Sequence, residues 1–218
     1  MKNRLCGGKQ RARTDAEKST REQQILDAAA ELFTHRRYGQ LTLADVAAAS
    51  GLTKAALYRY FRSKELLFIA IYRRAFKALV QDMQTRESID LPAEFADILV
   101  AHPLFCSLTA ILHTALETGL TEQEARDFKL FLLEQSRLLA APVKAASGRD
   151  DSACFDFLMQ CQQALIGCWH MTHPPEAARR AMEKAPLTVF KMEFAPTLRR
   201  HLQALTLAFN AGDTNGSP

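Results

Sequence analysis

The segment TKAALYRYFRSK, residues 53–64, gathers hydrogen-bond donors and positive charges around only two large apolar residues. These two residues, Leu57 and Phe61, are four positions apart and therefore share one side of a helix. Lys54, Arg59 and the tyrosines are left on its other sides. Ammonium, guanidinium and phenol groups donate to phosphate oxygens, and Lys or Arg can also donate to guanine O6 and N7. The chemistry that this segment supports is contact with a nucleic acid.

Two short helices separated by a tight turn must position this segment. Thr42 is a good N-cap for the earlier helix, although Asp45 makes only an imperfect capping box. Gly51 suits the left-handed position that ends this helix. Thr53 can cap the next helix, which should therefore begin only three residues later. Two helices joined by so short a turn make a helix-turn-helix, whose second helix enters the major groove of DNA.

The residues before this motif are polar and basic. The first 18 contain a Gly-Gly pair and no apolar period, which predicts a flexible arm. Ser19 and Thr20 each fit a capping box, so the first helix is predicted to start there and to end before Gly39. The arm could enter an adjacent minor groove, or form a disordered tail that adds only long-range attraction. Its basic residues are Lys2, Arg4, Lys9, Arg11 and Arg13.

The charge of the chain is distributed unevenly. Residues 1–64 carry 13 Lys/Arg and 6 Asp/Glu, whereas residues 65–218 carry 15 and 18, although the net charge of the whole chain is only +4. This asymmetry indicates that the N-terminal part meets a polyanion. The competing interpretation is an exposed amphipathic helix whose charges are merely solvated.

From about Thr20 to Leu67 the sequence resembles the tetracycline-repressor-like (TetR) family of bacterial regulators. The resemblance is carried by ILDAAAELF and by YGQLTLADVAAASGLTKAALYRYFRSKELL. It implies an all-α fold, with an N-terminal three-helix helix-turn-helix DNA-binding domain and a C-terminal helical-bundle ligand-binding and dimerisation domain. The expected domains are a flexible basic arm over residues 1–18, the DNA-binding domain over 19–65 and the effector-binding and dimerisation domain over 66–218.

The same resemblance assigns DNA contacts residue by residue. Those expected on phosphates are Thr42, Tyr58, Tyr60 and Lys64. Those expected on the groove floor are Thr53, Lys54, Ala55 and Arg59. Ala44 occupies a position where some family members carry a base-reading side chain, so the earlier helix is expected to be a weak reader of sequence.

From Leu66 onwards every strong pattern is helical, and no strand signal or repeat is present. Several helices are apolar on more than one side, notably around residues 128–139 and 155–169. This predicts burial at the centre of a bundle or against a second subunit. By the resemblance, the last two long helices build a homodimer interface, which places dimerisation on residues 153–173 and 187–208.

Candidate ligand contacts are polar or aromatic residues within apolar helices. His113 and Glu117, four residues apart, could be the polar anchors of an apolar pocket. They could equally be a core histidine and the neighbouring carboxylate that satisfies it. The aromatic candidates have the same two interpretations, ligand wall or core. The candidate ligand-binding residues are Phe105, His113, Glu117, Phe128, Phe131 and Trp169.

Neither a metal site nor a catalytic motif is evident. Five cysteines without a CxxC pair argue against a disulfide framework and a structural zinc site, and Cys154, Cys161 and Cys168 fit small buried hydrophobes better than thiol sensors. His170 and His173 have no further ligands in view, so no metal and no other cofactor is expected. The chain also has no Gly-rich phosphate loop, nucleophile elbow or HExxH, and an enzyme is not expected.

The expected function is a cytoplasmic, homodimeric, site-specific regulator of transcription. It would be a repressor released from a palindromic operator in double-stranded DNA by a small-molecule effector, and repression rests on the resemblance alone. A membrane partner is not expected, because no stretch approaches the roughly 20 apolar residues of a membrane span. Two alternatives stay open: an architectural or non-specific DNA-binding protein, and a small-molecule enzyme with a spatially assembled site.

Overall fold

The computed structural model describes residues 6–86 and 90–211; of residues 6–15, 92 and 93 only the backbone is considered. Every regular element in these ranges is helical, so the all-α prediction is confirmed. No helix among them is long and apolar enough to cross a membrane.

The chain divides into two compact units, residues 1–71 and 72–218. The predicted boundary between residues 65 and 66 therefore lies inside the N-terminal unit. This unit contains α1 (Cys6–His35), a 3-10 turn (Tyr38–Gln40), α2 (Leu43–Ala49), α3 (Lys54–Tyr58) and the first turns of α4 (Lys64–Gln84). Its buried core is formed by Ile25, Leu26, Ala29, Leu41, Val46, Ala47, Leu57, Phe61, Leu67 and Phe68.

The turn between α2 and α3 is closed by two backbone hydrogen bonds. Leu52 N–H donates to the Ala47 carbonyl at 2.8 Å, and Gly51 N–H donates to the Ala48 carbonyl at 3.2 Å. This pair satisfies carbonyls at the end of α2 and needs a left-handed residue between them. Gly51 supplies it with φ +67°, in open space where an added Cβ would meet nothing within 4 Å. The backbone conformation alone therefore selects glycine here.

The predicted start of the first helix is wrong. α1 already begins at Cys6, and it runs through Ser19 and Thr20 without a break. The Thr20 hydroxyl donates to the carbonyl oxygen of Ala16 at 2.9 Å, so it closes a helical turn and does not cap one. This is the usual way in which a threonine inside a helix satisfies its hydroxyl.

The predicted flexible arm is helical where the structure describes it, from residue 6 to residue 18. Lys9, Arg11 and Arg13 lie on this part of α1, whereas Lys2 and Arg4 lie outside the described residues. Arg, Lys, Gln, Glu and Ala are good helix formers, and their propensity outweighs the Gly-Gly pair on which the prediction of an arm was based.

The C-terminal unit continues α4 and adds six further helices in the described ranges. They are α5 (Leu91–Val100), α6 (Pro103–Ala110), α7 (Glu122–Ser147), α8 (Asp151–Thr172), α9 (Glu176–Ala181) and α10 (Phe194–Ala211). A π-helical turn (Leu112–Leu116) follows α6, and a 3-10 turn (Leu187–Phe190) precedes α10. α8 packs against α6, α7 and α10, and α10 also packs against α5.

α8 and α10, which cover most of the predicted dimerisation segments, pack against each other within this unit. The rings of Phe157 and Phe209 stack with centroids 4.5 Å apart. α10 begins at Phe194, and Pro196 lies in its first turn, where a proline is tolerated. Large apolar side chains remain exposed in this region: Met171, Leu187, Val189, Phe190 and Leu207.

Candidate DNA-contacting surface and ligand cavity

α3 is held by its apolar side and exposed on its polar side. Leu57 is fully buried and Phe61 is 7% exposed, as the four-residue spacing predicts. Thr53 begins the helix, since its Oγ1 accepts the N–H of Ala56 at 3.2 Å. The helix ends at Tyr58, so it is shorter than the pattern predicts.

The predicted groove-floor and phosphate contacts on α3 share its outer surface. Thr53, Lys54, Ala55, Tyr58 and Arg59 are all exposed, whereas Tyr60 is half-buried. Within the described part of the chain, no acidic side chain pairs with Lys54 or Arg59, which leaves both cations available for an external anion. The Lys54 ammonium lies 5.9 Å from the Tyr58 ring centroid.

Thr42 and Asp45 form a complete capping box, where the sequence had indicated an imperfect one. The Asp45 carboxylate accepts the Thr42 N–H at 2.8 Å and the Thr42 hydroxyl at 2.6 Å. Asp45 N–H donates back to Thr42 Oγ1 at 3.2 Å. The hydrogen bond from the Thr42 hydroxyl is the main reason that the pKa of Asp45 lies below its usual value. The exposed Thr42 hydroxyl therefore already donates a hydrogen bond within the protein, which a phosphate contact would have to replace or share.

Lys64, predicted to contact phosphate, has a structural role as well. Its ammonium donates to the carbonyls of Tyr38 at 3.0 Å and Leu41 at 3.1 Å. It also lies 4.0 Å from the Tyr38 ring centroid. Tyr38 in turn donates its hydroxyl to Glu65 at 3.1 Å, and partial burial, followed by the charge of Glu65, raises the pKa of this phenol. One ammonium proton of Lys64 is left for a phosphate.

The C-terminal unit encloses a cavity of about 290 Å³. This is close to the lower limit of small-molecule sites, roughly 300–1,000 Å³. The wall is mainly aromatic and aliphatic, with a few polar side chains. Its lining residues are Tyr72, Phe76, Phe95, Leu99, Phe105, Thr109, His113, Lys129, Leu132, Leu133, Ser136, Leu139, Phe155, Leu158, Met159, Cys161, Gln162 and Leu165.

Of the six residues proposed for ligand contact, only Phe105 and His113 line this cavity. Phe128 and Phe131 are core residues, stacked on each other with centroids 6.4 Å apart, and the Arg73 guanidinium lies 4.9 Å from the Phe131 ring. The remaining two, Glu117 and Trp169, are also absent from the wall. For these four residues the structure favours the non-ligand interpretation.

Glu117 nevertheless organises the polar part of the wall. Its carboxylate oxygens lie 3.1 Å from His113 Nδ1 and 2.6 Å from Lys129 Nζ. Both of its partners line the cavity. The π-helical turn Leu112–Leu116 carries His113 and ends immediately before Glu117. Single π-helical turns occur frequently at functional sites.

Sequence reasoning missed most of the cavity wall, although a weak signal was present. On α7, residues 129, 132, 133, 136 and 139 line the cavity, and on α8 residues 155, 158, 159, 161, 162 and 165 do so. Five residues of each set have the same spacing of 0, 3, 4, 7 and 10, which is one helix face, and Cys161 lies beside that face on α8. Each set also places a small or neutral polar residue, Ser136 or Gln162, at the fourth position of this spacing within an apolar stripe. A polar residue at such a place could have marked the wall.

The four described cysteines are buried, and His170 has a backbone partner. Cys106, Cys154, Cys161 and Cys168 are buried free thiols, and burial raises the pKa of each. No group of three potential metal ligands occurs in the part of the chain that the structure describes. His170 Nε2 instead meets the carbonyl of Ala110 at 2.9 Å, where it satisfies the end of α6.

Models of two protein families match the chain. The family described as "Tetracyclin repressor-like, C-terminal domain" matches residues 67–207, and the one described as "Bacterial regulatory proteins, tetR family" matches residues 25–71. The chain belongs to the TetR family. Transcription regulation, DNA binding and the helix-turn-helix follow for this TetR-family protein, and its domains point to a transcription factor, not to an enzyme.

Individual relatives match over shorter stretches. An uncharacterized HTH-type transcriptional regulator of Mycobacterium tuberculosis is 39% identical over 62 residues, which are 28% of this chain and 31% of that protein. The HTH-type transcriptional regulator AcrR of Shigella flexneri is 27% identical over 114 residues, 52% of this chain and 48% of that one. The chain thus spans less than half the length of either relative.

One solved structure matches the chain at low sequence identity. It is a transcriptional regulator of the TerR/AcrR family from Aquifex aeolicus, with a TM-score of 0.49 and 18% identity. The match covers 86% of this chain and 98% of that one.

Proposed function

We propose that this TetR-family protein is a cytoplasmic, homodimeric repressor that α3 anchors to a palindromic operator. A small molecule in the cavity of the C-terminal unit would release it. The observation that carries the proposal is the outer surface of α3, where Lys54 and Arg59 are exposed without acidic partners in the described residues. On the opposite side of the helix, Leu57 is buried in the core of the N-terminal unit. A helix fixed in this way can present its side chains to base edges without losing its own packing.

The residues of the surface then divide by chemistry. Lys54 and Arg59 donate to guanine edges, while the methyl groups of Thr53 and Ala55 pack against thymine methyl groups. Tyr58, Tyr60 and the remaining ammonium proton of Lys64 contact phosphates, with Thr42 at the start of α2. Base contacts would specify the sequence, and phosphate contacts would fix the register of the protein on the duplex.

The exposed apolar side chains near α8 and α10 support a dimer. Leu207 is 66% exposed and Met171 is 61% exposed. Met171 lies near the end of α8 and Leu207 near the end of α10, so each helix carries exposed apolar side chains that a second subunit would cover. A two-fold dimer would present its two recognition helices to half-sites about one helical turn, roughly 34–36 Å, apart.

Ligand release requires coupling between the cavity and the DNA-contacting surface. α4 contributes Phe68 to the core of the N-terminal unit and Tyr72 and Phe76 to the cavity wall. A ligand that prefers one position of this helix would change the spacing of the recognition helices. A coupling free energy of about 1–3 kcal/mol lowers the affinity for DNA roughly 5–150-fold.

Selection of bound duplexes from a random DNA pool at near-physiological salt tests the proposal. Enrichment of a palindrome with half-sites about one turn apart is the expected result. Tight binding without enrichment would favour an architectural protein, whose affinity falls with salt equally for every sequence. No binding at all would contradict the assignment of α3 as the recognition helix.

A further inference from the structure

The basic side chains of the cavity wall lie together, around one carboxylate. Glu117 is within 3.1 Å of His113 Nδ1 and 2.6 Å of Lys129 Nζ, so the two basic groups flank it. His113 and Lys129 line the cavity, whereas Glu117 does not. Two basic residues therefore belong to the wall, whereas the acidic residue between them does not.

Among the described residues, the rest of the wall contains no acidic side chain. Its other polar side chains are neutral, and they include Thr109, Ser136 and Gln162. Bringing a positive charge against such a wall would cost desolvation without a counter-charge to offset it. A negative charge, in contrast, would meet Lys129 directly.

Lys129 can accept a second anionic partner. An ammonium group has three donors, and Glu117 occupies one of them. The side chain of Lys129 is 54% exposed, so its charge stays hydrated and needs no burial. The Glu117 carboxylate, 20% exposed, competes with any incoming anion for the same ammonium.

We propose that the cavity selects a compact apolar molecule that carries one carboxylate. Its hydrocarbon part would pack against Tyr72, Phe76 and Phe105, and its carboxylate would accept a hydrogen bond from Lys129. A volume of about 290 Å³ limits the ligand to a small molecule. This inference rests on the proposed function only in taking the cavity as the effector site.

A matched series of probes tests the charge preference on the full chain. The probes are 4-phenylbutanoate, 4-phenylbutan-1-ol and 4-phenylbutylamine, which share one hydrocarbon part, and calorimetry at pH 7 measures their dissociation constants. We expect the carboxylate to bind about tenfold more tightly than the alcohol, because a charge-assisted hydrogen bond contributes more than a neutral one. The amine should bind most weakly. An amine or alcohol that binds as tightly as the carboxylate would overturn the proposal.

Two variants assign the preference to named side chains. Lys129→Met should remove the advantage of the carboxylate and leave the affinity for the alcohol unchanged. Glu117→Gln should raise the affinity for the carboxylate about threefold or more, because the competing anion is gone. Lys144→Met is the control, since Lys144 lies on the same helix but pairs with Asp151 at 2.7 Å and does not line the cavity. An intact preference in Lys129→Met, or a loss of carboxylate affinity in Glu117→Gln, would contradict the assignment.

A third variant separates binding in the cavity from binding elsewhere. Ser136→Phe places a ring in the cavity and should abolish binding of the carboxylate and the alcohol alike. Persistent binding in this variant would overturn the cavity as the site. If no probe of the series binds the wild-type protein, the preference for a compact carboxylate fails. The selection of bound duplexes from the DNA pool does not depend on these ligand measurements. It tests the proposed repressor function separately from the ligand preference of the cavity.

Discussion

The two candidate sites, the DNA-contacting surface and the cavity, differ in polarity and in exposure. The DNA-contacting surface is a convex set of exposed polar groups, and its caps, anchor and turn all lie between Thr42 and Phe61. The cavity is concave and mainly apolar, and its wall is assembled from residues between Tyr72 and Leu165. The surface is therefore encoded locally, whereas the cavity depends on the packing of several helices. This difference explains why the DNA-contacting surface is easier to predict from a single sequence than the cavity.

Their ionisable groups differ in the same way. Lys54 and Arg59, the basic side chains of the α3 surface, are exposed. In the cavity wall, burial raises the pKa values of Tyr72 and Cys161, so the phenol and the thiol stay neutral. One site thus offers charge to a polyanion, and the other offers an apolar surface with charge only beside Glu117.

The largest effect should come from removing the anchor of the recognition helix. Leu57→Ala deletes a fully buried side chain and leaves a void, which we expect to lower the free energy of unfolding by about 2–5 kcal/mol. Urea denaturation measures the loss. Tyr58→Ala, one residue further along and 45% exposed, is the matched control and should change the stability by no more than about 0.5 kcal/mol. Similar losses in both variants would contradict the division of α3 into a buried and an exposed side.

The next effect concerns DNA binding. Lys54→Ala or Arg59→Ala should each cost roughly 1–3 kcal/mol on the selected duplex and much less on random DNA, because a base contact is lost. Titration of both duplexes at several salt concentrations measures the difference. Lys64→Ala should weaken binding to both duplexes and also lower the free energy of unfolding, since two backbone carbonyls lose their donor. Equal losses on both duplexes for all three variants would contradict the assigned roles.

Local signals predicted the helix-turn-helix because each of them acts within a few residues. The caps Thr42 and Thr53, the end at Gly51 and the anchor Leu57 are present as the sequence predicts. The start of α1 was misplaced because Ser and Thr can either cap a helix or bond back to an earlier carbonyl, as Thr20 does. Residue type alone does not separate these two uses.

The cavity could be predicted only in part, because aromatic residues at helical spacing look alike whether they line a void or fill the core. Phe105 lines the cavity, whereas Phe128 and Phe131 stack on each other behind the lining rings of Tyr72 and Phe76. Lys129 and Glu117 are neighbours only because the π-helical turn and α7 bring them together. That contact joins residues 12 apart across two elements, which a periodicity in one helix does not reveal.

A smaller effect tests the turn that joins α2 to α3. Gly51→Ala should lower the free energy of unfolding by about 1–2 kcal/mol, because φ +67° is a left-handed conformation that a Cβ disfavours. Gly39→Ala is the control. Its φ is not positive and its Cβ would also meet nothing within 4 Å, so this change should be neutral or stabilising by up to about 1 kcal/mol. If the two changes destabilise equally, the conformation of Gly51 is not what closes the turn.

The smallest effect is a dependence on pH that belongs to the N-terminal unit alone. Asp45 accepts two hydrogen bonds from Thr42 and faces Arg36 at 3.4 Å, and its pKa is held below the usual value. The unfolded chain therefore binds this proton more readily than the folded chain does. The contribution of Asp45 is complete above its unfolded pKa of about 4, and it is lost as the pH falls through the lower folded pKa.

The free energies of unfolding of the wild type and Asp45→Asn, measured by urea denaturation between pH 2.5 and 7, should thus differ by a constant amount above about pH 5 and converge below about pH 4. Subtracting the two cancels other carboxylates, including Asp82, whose pKa is also lowered by its hydrogen bond with His102. Tyr72 and Cys161 of the cavity wall stay protonated across this range in both states, so neither group contributes to the pH dependence. A difference that persists unchanged to pH 2.5 would mean that the cap of α2 acts through the shape of the side chain and not through its charge.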